Sequence, residues 1–533
     1  MPKRLISALI VCFAVQLAVG GQAFAEEMTF GEEEVEDEPA DSGPYPEYLA
    51  EGKKLYESGK YEEASLMFYK VASATDVAAE AHVPEAEYEL GKTLLRMELY
   101  QGALSFFGNI VDLGEDHPYF LPTLRGLVLL TDVIPGDPTL LERLAPYAHY
   151  FPEDVPEKYR DQFAYLVGRH FYREMQSDEA LRLLTAVSKR SEYFGKAHYI
   201  AGITHVADYQ AGPAVEQFKQ VLSHLRSKDE TGELSSDEQR LLEMTTLAMA
   251  RVFYSTGDYE TSLKYYSSVD RNSNRWADAL FESSWAFFQT DDYNKALGNL
   301  HSLNSPFFAD AYFPEGPILS AVIFFYNCKY ERVRHVLDDF SYYYEPLQED
   351  VEALLKDYPG SMEMYTWLKE REEGEVEFDP QVYQIVNAAL DDAQVERKFA
   401  LVETIEQEKE KIGGMPDSWR SSELGSTLMQ ESELGLSFAV DDAGGLARER
   451  LSRVVDELND LIVQQKEILF EVARAERGEV QADIRAGMQV EGDVTDEPSL
   501  NISDEQMYWT FQGEYWRDEL GAYVYNINSQ CSR

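Results

Sequence analysis

Positive charge is what this sequence has least of. Of its 533 residues, 47 are Lys or Arg against 97 Asp or Glu, a formal charge of −50. A polyanion meets repulsion over most of such a surface, so nucleic acid is excluded as a partner. Cysteine is scarce as well, with only Cys12, Cys328 and Cys531, and the nine histidines do not cluster. No spaced Cys or His ligand set exists, no Asp-rich loop has calcium spacing, and no metal is expected. Also missing are a Gly-rich phosphate loop, paired histidines four apart around a Glu, and a Gly-x-Ser-x-Gly elbow. His170, His198 and His205 fall on helical stretches, and carboxylate pairs are too abundant to be diagnostic. The expectation is a protein without catalytic residues or cofactor.

Long apolar runs are absent after residue 19. The single run, Leu5 to Val19, follows Lys3 and Arg4 and precedes Ala23-Phe24-Ala25. It is shorter than the roughly 20 residues a spanning helix needs, so residues 1–25 read as a secretory signal cleaved after Ala25. No direct membrane span is expected. Cys12 lies inside the run with no small residue before it, which argues against a lipid-modified N-terminus. Cleavage leaves 45 basic residues against the same 97 acids, a charge near −52. The expected compartment, the periplasm, permits disulfides. Cys328 and Cys531 then either pair or stay buried and inert, because spacing does not reveal their Cα separation. What the chain does have is 44% hydrophobic and 13% aromatic residues, so the acids coat a real core, and its length allows several units.

Internal repeats organise that core. One frame reads Gly52, Leu55, Gly59, Tyr61, Ala64, Phe68, Val71. It returns at Gly91, Tyr100, Ala103 and Phe107; at Gly168, Ala180 and Leu184; and at Gly202, Ala214 and Phe218. Three further copies run from Ala250 to Val269, from Ser284 to Leu303 and from Ala321 to Phe340, with a weaker one around Gly126. Small residues such as Gly52 and Ala64 let two antiparallel helices approach, Tyr61 and Phe68 plug the contact, and Gly59 and Gly257 suit the left-handed turn that ends a first helix. The frame resembles the tetratricopeptide repeat over residues 45–345, about eight units. That resemblance implies an all-α superhelical solenoid whose concave face is made by the first helices.

Counting from the Gly52 position, the inner sites fall three residues earlier and one, four and five residues later. In the N-terminal half and at one later repeat they are Lys53, Lys92, Arg96, Arg169, Arg173 and Arg251, interleaved with Tyr56, Tyr88, Tyr165, Tyr172 and Tyr254. A basic, tyrosine-lined groove inside an acidic protein would bind acidic peptide segments. The alternative is that these cations only offset nearby acids. In the C-terminal repeats the same sites become Phe281, Trp285, Phe288, Ile318, Val322, Phe325 and Tyr326. This apolar groove is too large to stay bare on a monomer, and cover by the chain's own downstream segments is favoured over a partner helix.

Flanking segments differ in composition. Residues 26–44 form an acidic leader, disordered by composition, which is itself a tethered acidic peptide. Residues 346–377 read as a linker. Residues 378–478 read as a long helical hairpin or coiled coil, with Leu451, Val455, Leu458, Ile462, Gln465, Leu469 and Val472 forming a heptad seam. That seam is expected to pair with Val395, Phe399, Val402, Ile405 and Ile412, and an irregular tip is bracketed by Gly413-Gly414 and Gly444-Gly445. Residues 479–504 are an acidic linker. Residues 505–533, dense in aromatics from Tyr508 to Tyr525 and divided by Gly513 and Gly521, suggest short strands or turns. They form either a latch, tied to the last repeat through Cys531 and Cys328, or a partner-docking motif.

The repeats and signal, together with Trp285-Ala286-Phe287-Phe288, Asn327-Cys328-Lys329-Tyr330 and Gly513-Glu514-Tyr515-Trp516-Arg517-Asp518-Glu519-Leu520-Gly521, resemble envelope tetratricopeptide proteins of myxobacteria and related predatory bacteria. Within them the likeness is to the group attached to the adventurous gliding motility machinery. It implies a non-catalytic periplasmic scaffold near the outer membrane that grips envelope proteins in its groove and reaches a second component with its hairpin. A periplasmic assembly factor for outer-membrane proteins is the alternative. The missing lipid-attachment cysteine departs from relatives that are lipoproteins.

Overall fold

The structure is a computed structural model that describes residues 43–134, 138–148, 157–309, 311–372, 374, 380–391, 393–486, 506–507 and 511–531. The signal segment, the acidic leader up to residue 42, residues 487–504 of the acidic linker and Tyr508, Trp509 and Thr510 lie outside them. The regular structure among the described residues is helical, without strands, and residues 511–531 run as turns and irregular chain.

Eight helical pairs come first among the described residues. They are α1 (Tyr45–Glu57) with α2 (Tyr61–Ala72), α3 (Val83–Arg96) with α4 (Tyr100–Leu113), α5 (Phe120–Val133) with α6 (Pro138–Leu144), and α7 (Glu157–Arg173) with α8 (Ser177–Leu184). Then come α9 (Phe194–Ala207) with α10 (Ala211–Thr231), α11 (Ser236–Ser255) with α12 (Tyr259–Ser267), α13 (Trp276–Gln289) with α14 (Tyr293–Leu303), and α15 (Glu315–Tyr326) with α16 (Tyr330–Asp357). Downstream are α17 (Ser361–Glu372), α18 (Pro380–Leu390), α19 (Ala393–Gly414), α20 (Asp417–Arg420) and α21 (Glu423–Ala486).

The repeat frame works by close approach. A Cβ on Gly52 would lie 2.6 Å from the Phe68 ring, and one on Gly91 2.5 Å from the Phe107 ring. Phe68 and Phe107 are buried, so each glycine exists to admit the partner helix's aromatic ring. Seven of the pairs turn the same way. Residues Gly59, Glu98, Met175, Tyr209, Gly257, Asp291 and Cys328 all have φ between 55° and 83°. The next N–H reaches back five residues, as in Lys60 N to Leu55 O (2.9 Å) and Gln210 N to His205 O (2.8 Å). That bond satisfies a helix-terminal carbonyl and fixes the hairpin.

The chain divides into two compact units. The first holds residues up to Ala197 with Gly360–Glu373 and Leu390–Ala447. Here α19 and the first part of α21 run antiparallel, joined by the ion pairs Lys398–Asp442 and Lys409–Glu433. They fold back onto the second helices of the first two pairs. Trp419 Nε1 donates to Ser65 Oγ at 3.0 Å, Lys411 pairs with Glu98, and Leu428 fills the space beside Gly102. Glu408, 2% exposed, accepts the N–H groups that open α4.

The second unit holds His198–Pro359, Gly374–Ala389 and the chain from Arg448 onward. Its core joins α13 to α16 with the later part of α21: Phe281, Phe288, Ile318, Leu319 and Phe340 cluster with Leu461, Ile462 and Val472. Arg334 pairs with Glu476, and Arg448 Nη1 donates to the carbonyls of Leu355 (2.8 Å) and Tyr358 (3.2 Å) that end α16.

Three expectations are corrected. Residues 346–377 are not simply a linker: α16 continues through Pro346 because Leu347, Val351 and Leu355 stay buried, and α17 buries Met364, Tyr365, Trp367 and Leu368. The heptad seam does not pair with residues 395–412. Its later residues serve the second unit's core, while residues 395–412 pair with an earlier stretch of α21. Gly444-Gly445 does not bracket a tip; it lies inside α21, where a Cβ on Gly444 would overlap the Ser361 carbonyl oxygen. These glycines permit a helix contact rather than a turn.

Candidate functional site

The inner face of the first unit is assembled from α1, α3, α5 and α7. The residue three before each Gly52-type position does not face solvent. Tyr88 stacks on Tyr119 with centroids 4.9 Å apart, and Tyr165 on Tyr193 at 5.2 Å. In the second unit Phe281 stacks on Phe313 at 4.9 Å. Tyr88, Tyr165 and Phe281 are 5%, 3% and 7% exposed, so this position cements one repeat to the start of the next. That corrects the reading of all three as open groove residues. Burial raises the Tyr88 hydroxyl, with Glu89 adding to it, and pushes Tyr119 up to about 12, with Glu85 and Glu89 adding to it.

The cations lie on α1, α3 and α7, and several meet acids there. Lys53 pairs with Glu85 of the next repeat at 2.5 Å. Lys92 donates to Glu89 at 2.8 Å while its ammonium lies 4.9 Å from the Tyr56 centroid and 5.6 Å from that of Tyr88. Arg96 Nε donates to Tyr56 Oη at 3.3 Å, and Arg169 sits 5.4 Å over Tyr165. Tyr172 is partly buried and Arg173 exposed; burial raises the Tyr172 hydroxyl, with Arg173 opposing it. In place of a basic groove, the first unit has a mixed-charge face in which Tyr56, Lys92 and Arg96 form one cluster.

Arg251 belongs to the second unit and is not part of that cluster. Its Nε and Nη2 donate to both Glu282 oxygens at 2.9 and 2.6 Å, and Tyr266 Oη donates to Glu282 at 3.0 Å. Burial works to strip the guanidinium of its proton, and the facing Glu282 overrides it. Tyr254, pushed up to about 12 by burial, borders Tyr259. A bidentate pair of this kind braces α11 against α13 rather than offering a charge to a ligand.

The apolar groove is also occupied. Trp285, Val322, Phe325 and Tyr326 pack against the cluster that holds Phe281, Phe288, Leu461, Ile462 and Val472, so the cover is the chain's own α21. The tail closes on the same unit: Cys328 and Cys531 are joined by a disulfide, their Cα atoms 5.0 Å apart. Phe511, Tyr515 and Tyr523 surround His301, whose pKa burial lowers.

Sequence reasoning missed two kinds of residue. Tyr119, Tyr193 and Phe313 immediately precede α5, α9 and α15 or nearly so, and the recurrence of an aromatic before these three first helices was the available signal. Glu408 gave no signal, because a glutamate among helical glutamates looks solvated until the fold places it. Among the described residues no group of three or more His, Cys, Asp or Glu could hold a metal, and no helix is long and apolar enough to cross a membrane.

No family model matches the chain, and no curated protein matches it. Among solved structures, a tetratricopeptide repeat protein from Parabacteroides merdae aligns at 13% identity over 56% of this chain and 92% of its own, with a TM-score of 0.24. The apo form of RapI aligns at 14% identity over 69% of this chain and 99% of its own, with a TM-score of 0.33. At such scores the fold description rests on the helical pairs themselves.

Proposed function

We propose that this chain is a non-catalytic scaffold that binds segments of partner proteins on the inner face of its first unit. Residues 1–25 export it to the periplasm, and it serves an envelope assembly such as the gliding machinery of the proteins it resembles. The observation that carries the reading is the Tyr56–Lys92–Arg96 cluster. Aromatic faces and cations from two successive repeats meet there, with Arg96 exposed, an arrangement that suits a segment bringing both an apolar side chain and a carboxylate. The exposed Arg173, on α7 with Arg169, extends the positive charge along the same face. The assembly-factor alternative needs the Phe281–Phe325 groove to be bare, and its cover by α21 speaks against it.

The test is crosslinked affinity capture from envelope extracts, comparing the natural chain with an Arg96→Glu, Arg173→Glu double variant. One stoichiometric set of envelope proteins, lost in the variant and weakened by salt, supports the reading. The same set captured equally by the variant overturns it.

A further inference from the structure

The second unit carries a recognition groove that is filled by the chain's own tail, residues 511–531. The groove reads the tail mostly through its backbone. Gly521 N donates to Ser302 Oγ at 2.9 Å, Tyr525 N to Asn294 O at 2.9 Å, Ile527 N to Asn294 Oδ1 at 2.9 Å and Gln530 N to Asn327 O at 3.0 Å. Arg271 Nη1 donates to the Asp518 carbonyl at 3.2 Å. Gly298 is shaped for this contact, since a Cβ there would overlap the Tyr523 carbonyl oxygen.

Side chains add to this. Leu520 is 1% exposed, and three rings enclose His301, but Trp516, Val524 and Tyr525 stay open to solvent at 54%, 44% and 38%. Ile527 packs against the unit's core, and the Tyr525 ring lies 6.4 Å from that of Phe324, so side chains as well as backbone give the groove its selectivity. The covalent bond to Cys328 completes the attachment. Cys531 is exposed, and Cys328, partly exposed, stands at the turn between α15 and α16, so a thiolate has access to this disulfide from the Cys328 side.

We propose that the groove formed by Arg271, Asn294, Gly298, Ser302 and Asn327 is an exchange site that accepts the tail of a second copy of this chain. That tail carries the same Leu520, the same aromatic rings and the same Cys531, so every contact made within one chain is available between two. The covalent step balances without net oxidation. The Cys531 thiolate of a copy whose pair is reduced attacks Cys328 Sγ of another copy, a new S–S bond forms, and the bond to the resident Cys531 breaks. The resident Cys531 leaves as the thiolate. The groove thus links copies of the chain tail to body, a property independent of the face around Lys92.

Complementation tests it with the full chain. Cys328→Ser and Cys531→Ser variants, both also Cys12→Ser, are mixed in a glutathione redox buffer and resolved without reduction. The expected result is a disulfide-linked heterodimer at least tenfold more abundant than any dimer of either variant alone. Adding Leu520→Asp to the tail-donating Cys328→Ser chain, which leaves the accepting Cys531→Ser body unchanged, should abolish it. No heterodimer above the single-variant background, or one indifferent to Leu520→Asp, overturns the proposal.

Discussion

Glu408 accepts hydrogen bonds from the backbone N–H groups of Gln101 at 2.9 Å and Gly102 at 3.2 Å, 307 and 306 residues earlier in the chain. A carboxylate at a helix N-terminus is ordinarily stabilised there. Here burial dominates and pushes Glu408 up to about 7, against the opposing backbone bonds. Its folded pKa therefore lies above its unfolded value, near 4.5. The stability it contributes is complete below pH 4.5 and is lost as pH rises through 7, a swing of about 3 kcal/mol. Glu408→Gln should flatten that part of the dependence, and denaturation of both proteins at pH 5 and pH 8 measures the difference.

Gly91→Ala should destabilise the first unit by about 1 to 3 kcal/mol, because the added methyl meets the buried Phe107 ring and little can move. Combining it with Phe107→Leu should recover part of the loss. Urea midpoints of the single and double variants check this.

Met175→Gly should act in the opposite direction. Met175 holds a φ of 59° and is 80% exposed, so its side chain contributes strain and little packing. Glycine at that turn should stabilise by about 1 kcal/mol, read from the same denaturation curves.

Glu282→Gln should cost the second unit about 2 kcal/mol by unpairing the Arg251 guanidinium, and Tyr266→Phe about 1 kcal/mol. Neither should alter partner capture, which distinguishes a brace from a binding site.

The Gly–aromatic contacts explain why the fold was so legible in the sequence. Gly52 with Phe68 and Gly91 with Phe107 are local pairs 16 residues apart, and their chemistry is written within one repeat. Turns were legible only where glycine marked them, at Gly59 and Gly257; at Glu98, Tyr209 and Cys328 the hairpin imposes the left-handed conformation on residues that do not advertise it. The helices that carry the cations were legible, but the partners of those cations were not. Placing Lys53, Lys92 and Arg251 on first helices followed from the frame, whereas their acid partners Glu85, Glu89 and Glu282 sit among 97 acids that look alike in sequence. The heptad seam showed that it needed a partner without showing which, since the apolar faces of α13 and α15 and the face of α19 present similar chemistry.

On our proposal, partner segments dock on the inner face of the first unit. Site-specific photocrosslinking tests it most directly, with the crosslinking side chain placed at Arg96, at Arg173 and, as an outer-helix control, at Lys70, which is exposed on α2. Envelope-protein adducts at positions 96 and 173 and none at position 70 are predicted. Adducts at position 70 alone, or equal adducts at all three, would contradict it.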